Sequence, residues 1–145
     1  MLSKLFPRFR PTPDPLPQPN AQLALGALLV RVAFADREYH ATEIGQIDRI
    51  LAKTFDLGPI DAAKLRATCE ALERHAPGTS EFTEIVRNEV PYRDRLALAE
   101  GLWAVALADG DNDPAEEELV QGTEAALGLT ADDMVSVRER ALGSN

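Results

Sequence analysis

At 145 residues, with 45% hydrophobic and 27% charged side chains, the chain holds enough apolar material for one buried core and is too apolar for a wholly disordered polypeptide. Its 24 acidic residues outnumber 15 basic ones, a formal charge of -9, so most of the surface repels phosphate backbones and anionic lipid and excludes nucleic acid as a partner. Cys69 is the single cysteine and excludes an internal disulfide, the opening segment is too short and interrupted for a secretion signal, and no apolar run of about 18 residues exists to span a bilayer; we expect a cytoplasmic protein.

The first ten residues, MLSKLFPRFR, mix Leu2, Leu5, Phe6 and Phe9 with Lys4, Arg8 and Arg10. They read first as a loosely ordered terminus, because Pro7 interrupts any helix there, although the composition also suits contact with a membrane surface or a partner groove. A proline then stands at every second position from Pro11 to Pro19. Such spacing removes backbone donors and favours an extended chain, so residues 1–20 are expected to be a proline-rich tail or linker and residues 21–145 a helical domain.

From Asn20 the apolar spacing is helical. Leu23, Leu25, Ala27, Leu28, Val30, Val32 and Phe34 make a first helix apolar on most faces, which belongs at the centre of a bundle. A second helix is predicted from Ala41 to Thr54 around Ile44, Ile47, Ile50 and Leu51. Gly58 and Pro59 suit the entry to a third, which runs to His75 through Leu65, Cys69 and Leu72 before APGTS breaks the chain. A fourth follows Thr79 or Ser80, Pro91 opens a fifth carrying Leu96, Leu98, Leu102, Trp103, Val105 and Leu107, Asp113 and Pro114 start a sixth that Gly128 ends, and a seventh runs from Thr130 to Leu142. With no strand or hairpin signal, the expected fold class is all-α, a compact bundle of seven helices.

The chain also repeats itself. Sliding it by 73 residues sets LALGALLVRVAFADREYHATE (23–43) on LALAEGLWAVALADGDNDPAE (96–116), so that Leu23, Leu29, Val32, Ala35, Asp36 and Glu43 fall on Leu96, Leu102, Val105, Ala108, Asp109 and Glu116. Each copy is a buried helix, an acidic turn and an amphipathic helix. Two copies fit a pseudo-symmetric single domain better than an open solenoid.

The pair AFADREYHATE and ALADGDNDPAEEE, each closing an apolar helix, resembles the TerB-like family associated with tellurite resistance and stress response. The likeness covers residues 21–142. It implies an all-α domain whose acidic surface binds metal ions or partner proteins, with an Ala-Asp-Gly motif followed by a helix-opening glutamate. The second copy fits through Asp109, Gly110 and Glu116; the first departs, since Arg37 replaces the glycine and can neutralise Asp36.

In the second turn, Asp113, Pro114 and Glu116 have the pattern of an N-cap, a first-turn proline and a capping-box glutamate, and Glu117 suits the helix dipole. Asp109 and Asp111 precede the cap, where their mutual repulsion would be relieved by a hard cation. Where an EF-hand loop needs its glycine and its final bidentate glutamate, this chain has Pro114 and Val120, so an EF-hand is excluded. A smaller Ca²⁺ or Mg²⁺ site from Asp109, Asp111, Asp113 and Glu116 is one reading; a solvated acidic face or docking patch is the other. In the first turn, Asp36, Glu38, His40 and Glu43 suit a softer metal, unless His40 is simply an exposed turn residue.

Elsewhere the chemistry is sparse. Cys69 lies on an apolar helix face and His75 at a helix end, and neither has a second group to make a catalytic pair. Trp103 and Phe34 are expected in the core, and Tyr39 and Tyr92 at the surface, with Tyr39 placed to anchor an interface. The reading is a non-enzymatic domain that binds a divalent cation or a basic protein surface through its acidic turns. The alternative is a metal-dependent enzyme or an accessory subunit, which a convergent pocket with an open metal position would favour over a shallow acidic face.

Overall fold

A computed structural model describes residues 16–35, 39–108, 110 and 113–143. These form seven helices: α1 (Ala21–Ala33), α2 (Ala41–Phe55), α3 (Pro59–His75), α4 (Glu81–Glu89), α5 (Tyr92–Ala106), α6 (Pro114–Ala126) and α7 (Ala131–Gly143). No strand occurs among the described residues. The all-α expectation therefore holds, and the helix limits follow the caps read from the sequence. The division into a tail and a domain is a separate matter, since residues 1–15 lie outside the described residues.

Helix α1 is the axis of the bundle. The Asn20 side chain accepts the Leu23 N–H at 2.8 Å and starts it. Ten of its thirteen residues are buried, because α2, α3, α4, α5 and α6 all pack around it, while α7 lies against α5. A helix apolar all round is stable only in such a setting. Contact with α3 is closest at Gly26, where an added Cβ would overlap the Cys69 Sγ.

The last turn of α1 carries a charge inward. Arg31 Nη2 lies 3.0 Å from Glu73 Oε1 of α3 and also donates to the Thr79 carbonyl at 2.9 Å, while the Gly78 N–H donates to Glu73 Oε2 at 3.3 Å. Its guanidinium sits 5.6 Å from the Phe82 ring centre on α4. One buried pair thus fixes the end of α3, the connection at 76–80 and the position of α4. Arg66 plays a similar part between α2 and α3, reaching Asp48 at 2.5 Å and Glu70 at 2.8 Å.

The α6–α7 connection is fastened to the start of α5. Gly128 adopts φ +80°, as a residue following a helix end often must, and Arg95 donates to the Leu127 carbonyl beside it. Tyr92 accepts the Thr130 N–H at 3.0 Å and donates to Asp133 at 2.6 Å. The expectation of a surface tyrosine is corrected here: Tyr92 is half-buried because it clamps the first turn of α7.

Gly26→Ala is expected to lower stability by about 1–3 kcal/mol through overpacking, although alanine favours a helix by about 1 kcal/mol over glycine. Urea unfolding of Gly26→Ala, Cys69→Ala and the double variant measures the coupling. A recovery in the double variant is expected, and additivity would show that the glycine is not required by the sulfur.

Candidate functional site at the acidic turns

Both acidic turns lead into helices whose first residues are described. At α2, His40 is the N-cap in an extended conformation, and its N–H donates to Glu43 Oε1 at 3.2 Å. At α6, Asp113 is the N-cap, and its Oδ1 accepts the Ala115 N–H at 2.8 Å ahead of Pro114. Gly110 in the second turn has φ +83°, a conformation that favours glycine, and its N–H donates to the Leu107 carbonyl at 3.1 Å. This gives the glycine of the Ala-Asp-Gly motif a backbone reason.

The repeat mates Glu43 and Glu116 have exposures of 0% and 1%. Sequence spacing placed them in the first turn of their helices but gave no sign that they point inward. A buried carboxylate is costly, and the first turn of a helix is where the unpaired N–H groups and the dipole offset that cost best. Glu117 and Glu118 stay further out, Glu117 pairing with Arg138 at 3.3 Å.

Of the eight residues expected as metal ligands, the structure joins His40 to Glu43 by a hydrogen bond and sets Asp113 and Glu116 in one helix entrance. Asp36, Glu38, Asp109 and Asp111 lie outside the described residues. Among the described residues, no three His, Cys, Asp or Glu side chains gather in a way that could hold a metal ion. Any complete ligand set at either turn must therefore draw on residues 36, 38, 109 or 111.

Tyr39 departs from its expected surface position. Its ring meets Phe34 edge-on at 4.7 Å, and its hydroxyl is buried near Glu70 and Arg66. Burial first, and then the Glu70 carboxylate, hold the phenol above its ordinary range. It acts as a plug between the end of α1 and α3 rather than as an exposed anchor. Cys69 is fully buried, its thiol donates to the Leu23 carbonyl at 3.6 Å, and burial followed by the Glu70 charge pushes it up to about 12, so it stays a protonated thiol. His75 is exposed at the end of α3.

Beside the second turn, a cleft of about 560 Å³ opens between α2, α5 and α7, lined by Gln46, Glu100, Ala104, Leu107, Ala108, Val137, Arg140 and Ala141. Glu100 and Arg140 pair across it at 3.1 Å. The lining holds no pair of groups arranged for proton transfer or nucleophilic attack. No helix among the described residues is long and apolar enough to cross a membrane.

Comparison with known proteins agrees with this arrangement. The family model described as tellurite resistance protein TerB matches residues 22–139, a span that includes both acidic turns, the five helices α2 to α6 entire, and most of α1 and α7. No curated protein and no solved structure matches the chain.

One buried acid has no counterpart in the sequence reading. Glu124 of α6 has an exposure of 0%, neither carboxylate oxygen has a hydrogen-bond partner, and the Trp103 indole N–H lies beside it without closing to a bond. Continuing the 73-residue register sets Glu124 on Leu51 and Trp103 on Val30, so the signal was a carboxylate at a position whose repeat mate is a core leucine.

Burial raises the Glu124 carboxyl from 4.5 to about 7, with the indole N–H partly opposing. The folded protein retains this proton over a range in which the unfolded chain releases it. Stability from this group is therefore complete below about pH 4.5 and falls as pH rises to about 7, by about 3 kcal/mol. Glu124→Leu is expected to remove that slope and to be the more stable protein near pH 8. Urea unfolding of both proteins at about pH 5 and about pH 8 gives the comparison, and equal pH dependence would show that Glu124 does not titrate in this range.

Proposed function

The chain belongs to the TerB family, whose match over residues 22–139 spans both acidic turns, and from that premise we propose that it is a non-enzymatic domain of the stress-response and tellurite-resistance type that binds a divalent cation or a basic protein surface through those turns. The observation that carries this reading is the burial of Glu43 and Glu116. Two glutamates at matched positions in the repeat are drawn inward, each at the helix entrance that an acidic turn leads into, where their oxygens would meet a bound cation with little screening by solvent.

The second turn is the better cation site in this reading. Asp109, Asp111, Asp113 and Glu116 would supply the oxygen ligands that Ca²⁺ or Mg²⁺ prefers, and a bound ion would offset the repulsion among them. The first turn offers Asp36, Glu38, His40 and Glu43, but Arg37 brings a cation of its own, and His40 and Glu43 already serve the helix cap.

Thermal unfolding with and without each ion tests the proposal. A cation that binds only the folded state at about 100-fold excess over its Kd is expected to add roughly 2.7 kcal/mol. Replacing Asp109 and Asp111 by asparagine should abolish most of that gain while leaving the ion-free protein no less stable. Asp113→Ala, which removes the cap bond to Ala115, should cost about 0.5–2 kcal/mol with or without the ion. A wild-type protein indifferent to millimolar Ca²⁺ and Mg²⁺ would leave protein docking as the role of the acidic face.

A further inference from the structure

Helix α6 buries a glutamate near each end. Glu116 stands in its first turn and Glu124 in its last, with exposures of 1% and 0%. The helix dipole favours negative charge at the first position and opposes it at the second, so Glu124 is the one carried neutral. Its two oxygens have no hydrogen-bond partner, and neither has the Trp103 indole N–H beside it. A carboxyl in that setting releases its proton far more readily when a cation can reach it.

The charged groups on the elements around α6 are mostly committed. Helices α1, α4 and α5 pack against it. From α1, Arg31 is held by Glu73 and the Thr79 carbonyl. From α5, Arg95 donates to the Val90 and Leu127 carbonyls. On α6 itself, Glu117 pairs with Arg138 of α7, whose guanidinium lies 5.9 Å from the centre of the Trp103 ring. Glu81, Glu84 and Glu89 of α4 and Arg93, Asp94 and Glu100 of α5 are exposed.

Arg87 of α4 is different. It is exposed and forms no ion pair with a described residue, yet it lies against the end of α6. The turn that closes this helix brings the two together: the Leu129 N–H donates back to the Glu124 carbonyl at 3.2 Å, and Gly128 leaves open the space that Arg87 approaches, its Nε lying 3.2 Å from where a Cβ would stand. Arg87 is thus about one helical turn from the residue that carries the buried carboxyl.

We propose that Glu124 and Arg87 form a proton-controlled latch: with its proton, Glu124 stays neutral beside the indole and Arg87 faces solvent, and without it Arg87 turns in past Gly128 and pairs with the carboxylate. The latch ties the end of α4 to the end of α6. Its effect reaches the surface, because Glu89 and Val90, which directly follow the latch residue on α4, line a groove of about 300 Å³ between α1, α2 and the α4–α5 connection.

Titration of the native protein tests the latch, with Trp103, the only tryptophan, as reporter. The indole fluorescence is expected to change in one step between about pH 5 and about pH 8, and the step to vanish in Glu124→Gln. Arg87→Gln should raise its midpoint by about one pH unit, a roughly tenfold tighter hold on the proton, and Arg87→Lys should reverse most of that shift. In the unaltered chain, the NMR signals of the Glu124 carboxyl carbon and the Arg87 Nε–H should move with one midpoint, a readout that requires no variant to fold. A fluorescence step that persists in Glu124→Gln belongs to a histidine and overturns the proposal. So does a midpoint indifferent to Arg87→Gln, which would leave Arg87 a packing residue, or an Arg87 signal that stays still while Glu124 titrates.

Discussion

A helix with no solvent face constrains everything around it. Because α1 buries ten of thirteen residues, the other helices must be arranged to cover it, and most of the chain's apolar spacing serves that end. The constraint sharpens where α1 ends. Arg31 is the charged residue in its last turn, and Glu73 must be drawn under the protein surface to answer it. Since a buried ion pair loses about 3–5 kcal/mol when one partner is removed, the pair acts as a register mark more than as a source of net stability. It tells α3 where to end and α4 where to begin.

The internal repeat is symmetric at its edges and asymmetric at its centre. Both halves place a buried glutamate in the first turn of a helix, Glu43 and Glu116. Inward of these, one half packs Val30 and Leu51, and the other packs Trp103 and Glu124. Arg31, meanwhile, falls on Ala104 in the repeat register. Each half thus has one place where polarity enters the core, but the first resolves it as a paired charge and the second as a lone carboxyl beside an indole. The helix entrances were kept alike while the interiors diverged.

How much could be read from the sequence follows from what periodicity measures. The seven helices were legible because apolar residues recur at helical spacing and because Gly58-Pro59, Asp113-Pro114 and Gly128 punctuate them. The positions of the acidic turns were legible for the same reason. The inward turn of Glu43, Glu73, Glu116 and Glu124 was not, because a pattern reader takes a carboxylate as solvent-facing or as a cap, and only the fold shows which neighbours surround it. Tyr39 failed for a related reason: its environment is made by Phe34 and by Glu70, thirty-one positions away in the chain. Half of the candidate ligand set, residues 36, 38, 109 and 111, lies outside the described residues, so its geometry rests on the sequence alone.

The slender attachment of α7 bears on the cleft it borders. This helix buries one residue, Val137, packs chiefly on α5, and is held at its first turn by Tyr92. Its later ion pairs, Arg138 with Glu117 and Arg140 with Glu100, are exposed and each contributes little. Local opening is therefore expected to cost far less here than at α1, which is buried by five neighbouring helices. The cleft between α2, α5 and α7 consequently has one wall, α7, that is held to the bundle by less buried surface than the other two, so its width depends on how firmly Val137 stays seated against the core.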